Sequence, residues 1–375
     1  MNKLAIGLMS GTSMDGIDVA LIETDGEAHV RPLKYLSIPY DKAERGYLRS
    51  AMQAALTMDR PGPHPIVDAA AAAITQHHIR AVRALLDALP AIFPIDIAVI
   101  GFHGQTVAHR PERGWTWQIG DGAAMARELG ITVVDDFRSA DVAAGGQGAP
   151  LVPVYHRALA AGLERPVAVL NLGGVGNITF IGGDDRLIAF DTGPGNALID
   201  DWVQTETGHP HDAGGQIAAS GTVDAAVLAR LLDDPWFALP PPKSLDRSDF
   251  GLTAVRGLST ADGAATLTAF TAHSVARALG HLPERPRSLL VAGGGRHNLH
   301  LMQVLAEVTG VTVQPVEAVG WAGDATEAEA FAYMAVRSLA GLPISFPLTT
   351  GAPAPMSGGR VSRPATDDLP IAAER

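Results

Sequence analysis

The sequence predicts an α/β fold in which mixed sheets are flanked by helices and the chain forms two domains. Short apolar segments typical of buried strands alternate with segments that carry the helical spacing of apolar residues. An apolar hairpin with a glycine-rich turn occurs in each half, which is a weak internal repeat. The length of 375 residues also exceeds one typical domain. We place the domains at 1–140 and 141–375, and leave open whether the C-terminal segment packs back on the first domain.

The composition excludes several classes of protein. A net charge of −12 without a dense run of Lys or Arg argues against a nucleic-acid surface. The absence of cysteine excludes disulfides and thiolate metal sites. No secretory signal and no apolar stretch of about 18 residues stands out, so we expect no membrane span and a cytoplasmic location.

The chain is organised around an apolar hairpin at its N-terminus. We predict strands at 4–9 and 17–22, joined by the turn 10–16, Ser-Gly-Thr-Ser-Met-Asp-Gly. This turn is longer than the usual hairpin turn, and its hydroxyls and backbone N–H groups can form a concave site for an anion. We predict that it holds the phosphates of a nucleotide; an ordinary polar turn is the alternative.

The rest of the first half continues the alternation. We expect a third strand at 30–40, helices at 41–57, 65–89 and 122–129, and strands at 95–101, 115–119 and 132–134. Residues 102–106 are predicted to form a polar loop after a strand, where α/β sheets bind ligands. Alternatively, His103 only satisfies local backbone groups. The glycine-rich stretch 137–150 is the predicted boundary and hinge, and a helix follows at 151–161.

The second half repeats the opening pattern. Strands predicted at 167–171 and 178–181 flank the turn 172–177, Leu-Gly-Gly-Val-Gly-Asn. If the two glycine-rich turns face each other across a cleft, they would clamp a polyphosphate from both sides. A strand at 187–190 then leads into Asp191 and two glycines, before a helix at 197–205 whose N-terminus suits an anion. Asp191 is either a functional carboxylate or merely a helix cap or turn residue.

The remaining segments complete a second α/β domain. Helices are predicted at 215–219, 223–232, 261–279 and 327–339, and strands at 288–292 and 311–315. The glycines at 293–295 lie between a strand and the next helix, where they let the backbone approach a ligand, and they suggest an adenosine pocket. The tail from Thr350 is expected to be loosely ordered.

Known motifs narrow the chemistry. The chain has no GxxxxGK[ST] P-loop, no GxGxxG after the first strand and no Gly-x-Ser-x-Gly elbow. The pair His77-His78 and the group around His211 lack metal-site spacing and are predicted to be surface histidines. Phosphate-binding turns beside carboxylates fit phosphoryl transfer with Mg²⁺, in which Asp191 is the predicted base.

Several motifs, in this order, resemble those of the anhydro-N-acetylmuramic acid kinases. They lie at 10–18, 103–106, 136–138, 145–153, 171–174, 190–196 and 293–295, within a match from about residue 4 to about 350. The resemblance implies two actin-like (ribonuclease H-like) domains around an interdomain cleft, and usually a homodimer. It also implies an ATP-dependent reaction in murein recycling. Water opens 1,6-anhydro-N-acetylmuramic acid at C1 and O6 takes the γ-phosphoryl group, giving N-acetylmuramic acid 6-phosphate and ADP.

The resemblance also assigns residues. Asp191 carries over as the base for the water, and Glu327 as a second acidic catalytic position in the last helix. The predicted ATP-binding residues are Gly11, Thr12, Ser13, Met14, Asp15, Gly16, Ile17, Asp18, Gly173, Gly174, Asn177, Gly293, Gly294 and Gly295. The predicted substrate-binding residues are His103, Gly104, Gln105, Thr106, Arg138 and Asp141. The metal ligands stay undetermined.

The chain departs from the family pattern at three places. Ser139-Ala140 stand where more arginine is common, Leu245-Asp246 where Thr-Gly is frequent, and the tail after Ala352 does not match the usual ending. These departures bear on substrate affinity and C-terminal packing more than on reaction type. The alternatives are another sugar kinase of the same fold that phosphorylates a plain hydroxyl, and a non-catalytic ATP-binding module.

Overall fold

The computed structural model describes residues 1–90 and 96–364, which divide into two compact units. Unit 1 comprises Met1–Ala158, Glu327–Pro347 and the chain from Ala352 onward; unit 2 comprises Leu159–Thr326 and Leu348–Gly351. The first break therefore follows Ala158, whereas the sequence placed it after residue 140. Residues 141–158 stay in unit 1 because Tyr155 donates a hydrogen bond to Glu329 at 2.8 Å and its ring packs 5.5 Å from that of Tyr333.

Unit 1 is built on a seven-stranded mixed sheet. Its strands are β1 (Lys3–Ser10), β2 (Gly16–Thr24), β3 (Val30–Pro39), β4 (Ile97–Arg110), β5 (Trp115–Ile119), β6 (Val133–Asp135) and β12 (Arg360–Ser362). Its helices are α1 (Lys42–Leu56), α2 (Pro65–Asp87), α3 (Gly122–Leu129), α4 (Ser139–Ala143), α5 (Pro153–Leu159) and α11 (Thr326–Leu339), the last two each crossing a unit break by one residue. The strand order is β12-β6-β4-β1-β2-β3, with β5 beside β4.

Unit 2 carries a five-stranded sheet of the same design. Its strands are β7 (Val167–Leu172), β8 (Val175–Ile181), β9 (Leu187–Pro194), β10 (Ser288–Ala292) and β11 (Thr312–Pro315). Its helices are α6 (Ala197–Thr207), α7 (Gln216–Ser220), α8 (Ala225–Leu232), α9 (Thr260–Leu279) and α10 (Leu299–Thr309). The order β11-β10-β7-β8-β9 matches β6-β4-β1-β2-β3 of unit 1.

Strand directions repeat as well as strand order. In each unit the first three strands form an antiparallel meander. The fourth strand of that pattern, β4 or β10, pairs in parallel with the first, and β6 or β11 pairs in parallel with it. This shared topology is the structural basis of the two similar hairpins in the sequence. It confirms the predicted α/β class with mixed sheets flanked by helices.

Local sequence explains where the elements begin. Helix α1 starts at Asp41, whose carboxylate accepts the N–H of Glu44 while the Glu44 carboxylate accepts the N–H of Asp41. This capping box satisfies two amide groups that have no partner within the helix. The next helix, α2, buries Ile79 and Val82 in the same hydrophobic core as the sheet of unit 1. This packing holds α2 against one face of the sheet.

Two adjacent glycines set how closely α11 approaches the sheet of unit 1. Gly7 of β1 lies beside Gly101 of β4 in the parallel register. A Cβ on Gly7 would come 1.8 Å from the carbonyl oxygen of Ala328, and a Cβ on Gly101 2.0 Å from that of Phe331. The helix backbone therefore rests directly on the sheet, and this contact fixes the start of α11, where Glu327 lies.

Several local predictions are wrong. Residues 102–106 are no loop but part of β4, because β1 and β5 both pair with this stretch; Ile95, predicted to start the strand, lies outside the described residues. Asp191 does not end its strand, since β9 continues to Pro194. Of the two predicted surface histidines in α2, His78 is fully buried and packs 4.9 Å from the Phe102 ring.

The tail is also more ordered than predicted over its described part. Strand β12 pairs antiparallel with β6, and Arg360 donates two hydrogen bonds to the buried carboxylate of Asp135, at 3.0 and 2.8 Å. The strand at 312–315 is consequently not the last one. Within the described residues, no helix combines the length and the apolar character that crossing a bilayer requires.

Candidate functional site

The turn between β1 and β2 is held from behind by two side chains. Ser10 donates to Oε1 of Gln105 at 2.5 Å, so the hydroxyl of Tyr40, 2.9 Å away, is the donor to Ser10. The amide of Gln105 donates to the carbonyl of Gly11 at 3.1 Å. The backbone N–H of Tyr40 donates to the carbonyl of Asp15 at 2.9 Å. Tyr40 and Gln105 thus fix both ends of the turn.

The front of this turn offers donors. Thr12 and Ser13 are exposed, and their N–H groups have no hydrogen-bond partner within the described residues. Met14 adopts a positive φ of 58°, and its N–H donates to the carbonyl of Gly11. Free N–H groups on a curved backbone form an anion-binding concavity. Gly16 begins β2 and Ile17 is buried in the core, so the side chain of Ile17 is directed away from this face.

A second polar group in unit 1 centres on Arg138. Its Nε donates to Nε2 of His103 at 3.1 Å, and its Nη1 donates to the carbonyl of Gly148 at 2.8 Å. His103 is therefore the tautomer with its proton on Nδ1, which donates to the carbonyl of Gly104 at 2.9 Å. Burial and the neighbouring Arg138 hold the pKa of His103 well below its usual value. His103 is a neutral, oriented side chain.

Glu327 belongs to the same group. Desolvation raises the pKa of its carboxyl, the positive charge of Arg138 opposes this, and the negative charge of Asp18 adds to it. Burial lowers the pKa of Arg138 to about 10, so the guanidinium stays charged at neutral pH. Asp18 also accepts a hydrogen bond from the hydroxyl of Tyr35 at 2.7 Å. The carboxylate of Glu327 is therefore near both the cation of Arg138 and the carboxylate of Asp18.

The other predicted substrate residues mostly point into the protein. Gln105 is fully buried and holds the first turn, as described above. Asp141 is buried and accepts the N–H of Gly148 at 2.6 Å. Thr106 accepts a hydrogen bond from Gln118 at 3.2 Å, and Gly104, at a φ of 71°, would place a Cβ 2.5 Å from the Ile119 carbonyl. Their roles in the structure are to support the turn and the strand.

Three glycine-rich segments converge in unit 2. The N–H groups of Gly195 and Asn196 donate to the carbonyls of Gly174 and Gly173, at 3.0 and 2.7 Å. A Cβ on Gly293 would come 2.5 Å from Oδ1 of Asn171, and one on Gly295 2.5 Å from the Cβ of Leu172. Only glycine permits this close approach. Predictions made for separate segments, 173–174 and 293–295, thus meet at the ends of β7 and β10. Asn177 lies opposite Asp191 in the pairing of β8 and β9.

Asp191 is a partly buried carboxylate close to these glycines in the chain. Its Oδ2 accepts the N–H of Leu245 at 2.8 Å, and Oδ1 has no hydrogen-bond partner within the described residues. Burial raises its pKa to about 6, which the hydrogen bond from Leu245 opposes. Asp191 does not cap α6, because Asn196 occupies the N-cap position. The ammonium group of Lys243, a residue near Leu245 in the chain, donates hydrogen bonds to the backbone carbonyls of Trp236 and Phe237.

A cavity of about 420 Å³ opens in unit 2 next to the glycines 294–295. Its walls include Asn196, Asp200, His211 and Asn298. The volume is within the range of small-ligand sites, and the position at the carboxyl end of β10 is typical of ligand sites in α/β sheets. The cavity lies where the sequence predicts an adenosine pocket, at 293–295, and adenosine binding there stays a prediction.

Sequence reasoning missed four residues that shape these sites. Tyr40 is the last residue of a predicted strand, and Leu245 lies in an irregular segment. Asp200 belongs to no motif, and His211 is predicted only to be a surface histidine. Only Asp200 carried a usable signal, because it lies four residues after Asn196 and so on the same face of a predicted helix. The hydrogen bonds of Tyr40 and Leu245 span 30 and 54 residues respectively, which no local pattern reveals.

The repeated topology and the glycine-rich turns define an actin-like α/β fold of two ribonuclease H-like units. Within that class, the chain belongs to the anhydro-N-acetylmuramic acid kinase family, which comprises ATP-dependent kinases: the family model matches residues 3–363.

Individual relatives support the same assignment. The anhydro-N-acetylmuramic acid kinase of Rhizorhabdus wittichii is 65% identical over 362 residues, 96% of this chain and 99% of that protein. That of Zymomonas mobilis subsp. mobilis is 56% identical over 362 residues, again 96% and 99%. A ligand-bound xylulose kinase from Lactobacillus acidophilus is 12% identical with a TM-score of 0.47, over 97% of this chain and 94% of that one. This last likeness is too weak to bear on the assignment.

Proposed function

We propose that this chain is an ATP-dependent kinase that opens 1,6-anhydro-N-acetylmuramic acid with water and phosphorylates O6, in murein recycling. The products are N-acetylmuramic acid 6-phosphate and ADP. The observation that carries the proposal is Asp191, a carboxylate with one free oxygen and a pKa of about 6, in a chain of this family. Such a group is ionised at neutral pH and is more basic than an ordinary Asp, as a general base requires.

The reaction combines two steps that balance. Asp191 takes a proton from water as the water oxygen bonds to C1 of the sugar. The C1–O6 bond breaks and its electron pair stays on O6, which bonds to the γ-phosphorus of ATP while the bond to ADP breaks. The phosphoryl group thus replaces the proton that a general acid gives the leaving oxygen in ordinary glycoside hydrolysis. Glu327 is the second acidic catalytic residue.

Arg138 is proposed to bind the sugar, and His103, which accepts a hydrogen bond from Nε of Arg138, is proposed to hold the guanidinium in place. Nη2 of Arg138 has no hydrogen-bond partner within the described residues, whereas Nε and Nη1 are occupied. A guanidinium with a free nitrogen suits the lactyl carboxylate of the substrate. Because Ser139-Ala140 supply no further cation beside Arg138, we expect this one residue to carry most of the charge recognition.

The nucleotide is proposed to bind at the glycine-rich turns. The backbone N–H groups of Thr12 and Ser13 would contact phosphate oxygens. The rest of the proposed first phosphate site consists of the neighbouring residues Gly11, Met14, Asp15, Gly16 and Asp18. Gly173, Gly174 and Asn177 would form the second phosphate turn, and Gly293, Gly294 and Gly295 the wall beside adenosine. These roles are supported by the free donors of the first turn and by the cavity at 294–295.

Mg²⁺ is proposed to accompany ATP. No group of three or more His, Cys, Asp or Glu side chains in the described part of the chain could hold a metal ion alone. This fits Mg²⁺, which commonly binds phosphate oxygens and waters with only one or two carboxylates. Asp15 and Asp18 of the first hairpin could supply them. When bound, the ion neutralises charge on the phosphates.

We also propose that the protein is a homodimer and is located in the cytoplasm.

Isotope labelling tests the reaction. We would incubate the protein with ATP, Mg²⁺ and 1,6-anhydro-N-acetylmuramic acid in ¹⁸O-labelled water and identify the products by mass spectrometry. The proposal predicts N-acetylmuramic acid 6-phosphate with one ¹⁸O at C1. A phosphorylated sugar without label would point to a kinase acting on a plain hydroxyl. ATP binding with no sugar product would indicate a non-catalytic module.

A further inference from the structure

Six polar side chains line the cavity in unit 2, and three of them are hydrogen-bonded within the protein. Both oxygens of Asp212 accept backbone N–H groups, from Ile217 and Ala218, each at 2.9 Å. Oδ1 of Asn298 accepts the N–H of Leu301 at 2.9 Å. Nδ2 of Asn196 donates to the carbonyl of Leu172 at 3.0 Å. These side chains hold the walls of the cavity together.

Asp200 is different. Its carboxylate lines the cavity, is only partly exposed, and has no hydrogen-bond or ion-pair partner within the described residues. Burial of such a group without a partner costs free energy. The neighbouring charges of Asp201 and Asp212 add to that cost, and His211 only partly offsets it. A ligand that donates hydrogen bonds to Asp200 would remove the cost.

The position of Asp200 indicates which part of a nucleotide it meets. Its N–H donates to the carbonyl of Asn196 at 2.9 Å, so it lies one helical turn, roughly 5.4 Å along the axis, beyond that residue. Asn196 is bonded to the second phosphate turn through Gly173. In a nucleotide, the ribose is the group that directly follows the phosphates. A carboxylate repels phosphate but accepts hydrogen bonds from vicinal hydroxyls, so ribose suits this position.

We infer that Asp200 recognises the ribose hydroxyls of the nucleotide and makes the protein prefer ribonucleotides to 2′-deoxyribonucleotides. This inference rests on the proposed function for the identity of the site as the ATP site. A carboxylate paired with a 2′-hydroxyl is a common means of ribose recognition in other nucleotide-binding folds.

The test compares ATP with 2′-deoxy-ATP. For the natural chain we expect 2′-deoxy-ATP to have a KM about tenfold or more above that of ATP, as loss of a charge-assisted hydrogen bond predicts. In Asp200→Asn the amide oxygen can still accept a hydrogen bond but carries no charge. The ratio of the two KM values should therefore fall by about threefold or more, through weaker ATP binding.

Asp201→Asn is the matched control. Asp201 is the next residue on α6, but it pairs with Arg247 at 2.9 Å and does not line the cavity. The same change of charge there should leave the preference intact. If Asp200→Asn folds poorly, Asp200→Glu, which keeps the charge and moves it by one methylene, should raise KM for ATP much more than for 2′-deoxy-ATP.

Two results would overturn the inference: no preference in the natural chain, or a preference of unchanged size in Asp200→Asn. Calorimetric binding of both nucleotides without sugar separates it from the proposed function. A chain that prefers ATP in calorimetry but does not turn over the anhydro sugar would support ribose recognition and contradict the reaction. Turnover of the sugar without any ribose preference would do the reverse.

Discussion

Asp191 shows how the surroundings of a single carboxylate shift its pKa. Burial raises its pKa to about 6, and one hydrogen bond, from Leu245, orients it while leaving Oδ1 free. A fully solvated Asp would be a much weaker base, and a fully buried one would not ionise at neutral pH. The partial burial of Asp191 in strand β9 therefore explains why its pKa lies between these two limits.

We expect kcat/KM to fall about tenfold per pH unit below roughly pH 6, because protonated Asp191 cannot accept a proton from water.

Asp191→Asn should retain nucleotide binding, measured by calorimetry, while turnover falls by several orders of magnitude. The amide oxygen still accepts the N–H of Leu245, so the backbone should keep its place. Near-normal turnover in this variant would remove Asp191 from the proposed role.

Glu329 is a second carboxylate whose ionisation is opposed by burial, but in a structural setting. It is buried, accepts the hydroxyl of Tyr155, and has a pKa raised to about 7. The unfolded chain releases this proton near pH 4.5. The folded state is therefore penalised as pH rises above that value, with the full penalty present only above about pH 7.

Glu329→Gln keeps an oxygen for Tyr155 and removes the charge. We predict that it raises the free energy of unfolding by on the order of 1 kcal/mol or more at pH 8 and changes it little at pH 4. Urea unfolding at the two pH values measures this difference. A gain of the same size at both would show that packing, rather than ionisation, explains it.

At the scale of elements, the turn between β1 and β2 depends on contacts from distant strands and loops. Tyr40, Ser10 and Gln105 form one hydrogen-bonded chain behind the turn, and all three are buried. If the turn binds phosphate as proposed, it is ordered beforehand, so binding would lose less conformational entropy.

We predict that Tyr40→Phe raises KM for ATP by roughly threefold to tenfold, as expected for loss of one hydrogen bond, with a smaller effect on kcat. The measurement is steady-state kinetics with ATP varied at saturating sugar. Tyr47→Phe is the control, because Tyr47 is 66% exposed. An unchanged KM in Tyr40→Phe would show that the turn keeps its shape without this bond.

The contact between helix α11 and the sheet of unit 1 is the second feature at the scale of elements. Gly7 and Gly101 form a flat patch that lets the helix backbone contact the sheet, which places Glu327 at the start of the helix. Side chains at these positions would separate the two layers, and tightly packed interiors tolerate such insertion poorly.

Gly7→Ala should destabilise unit 1 by about 2 kcal/mol or more, since its Cβ would overlap the carbonyl oxygen of Ala328. Gly46→Ala provides the contrast: nothing lies within 4 Å of a Cβ there. In helix α1 that change should stabilise by about 0.5–1 kcal/mol. Thermal unfolding of both variants checks the prediction, and equal effects in the two would contradict it.

For the whole molecule, the repeated sheet topology explains how one chain provides two sets of glycine-rich turns. Unit 1 is assembled from separate stretches of the chain, because α11 and β12 belong to it although both follow the main segment of unit 2, Leu159–Thr326. The buried carboxylate of Asp135 depends on this return, since Arg360 of β12 neutralises it. Asp135 is buried whereas the Arg360 side chain is 65% exposed, so loss of the arginine would leave a buried carboxylate with only the N–H of Gly122 as a donor, which is destabilising.

We therefore predict that a chain ending at residue 359 is less stable than one ending at residue 364 by on the order of 2 kcal/mol. Comparison of the two truncations isolates β12 from the residues beyond it. Chemical unfolding followed by circular dichroism gives the difference. Equal stability would mean that β6 does not need its antiparallel neighbour.

The sequence by itself determined the local features of this protein. Apolar periodicity gave most strands and helices, and the rare motifs gave the family, because both signals lie within short stretches of chain. The same signals marked 102–106 as a loop, since a polar, glycine-containing segment resembles a loop until two strands are known to pair with it.

Only the tertiary structure decided which polar side chains are already bonded within the protein. Gln105 follows His103 in one short stretch, but its amide holds the carbonyl of Gly11, and both ring nitrogens of His103 bond to Arg138 and Gly104. Asp200 carries no motif, but it lines the cavity and has no side-chain partner among the described residues. The physical reason is that hydrogen bonding and desolvation depend on neighbours in space, which long-range packing alone assembles.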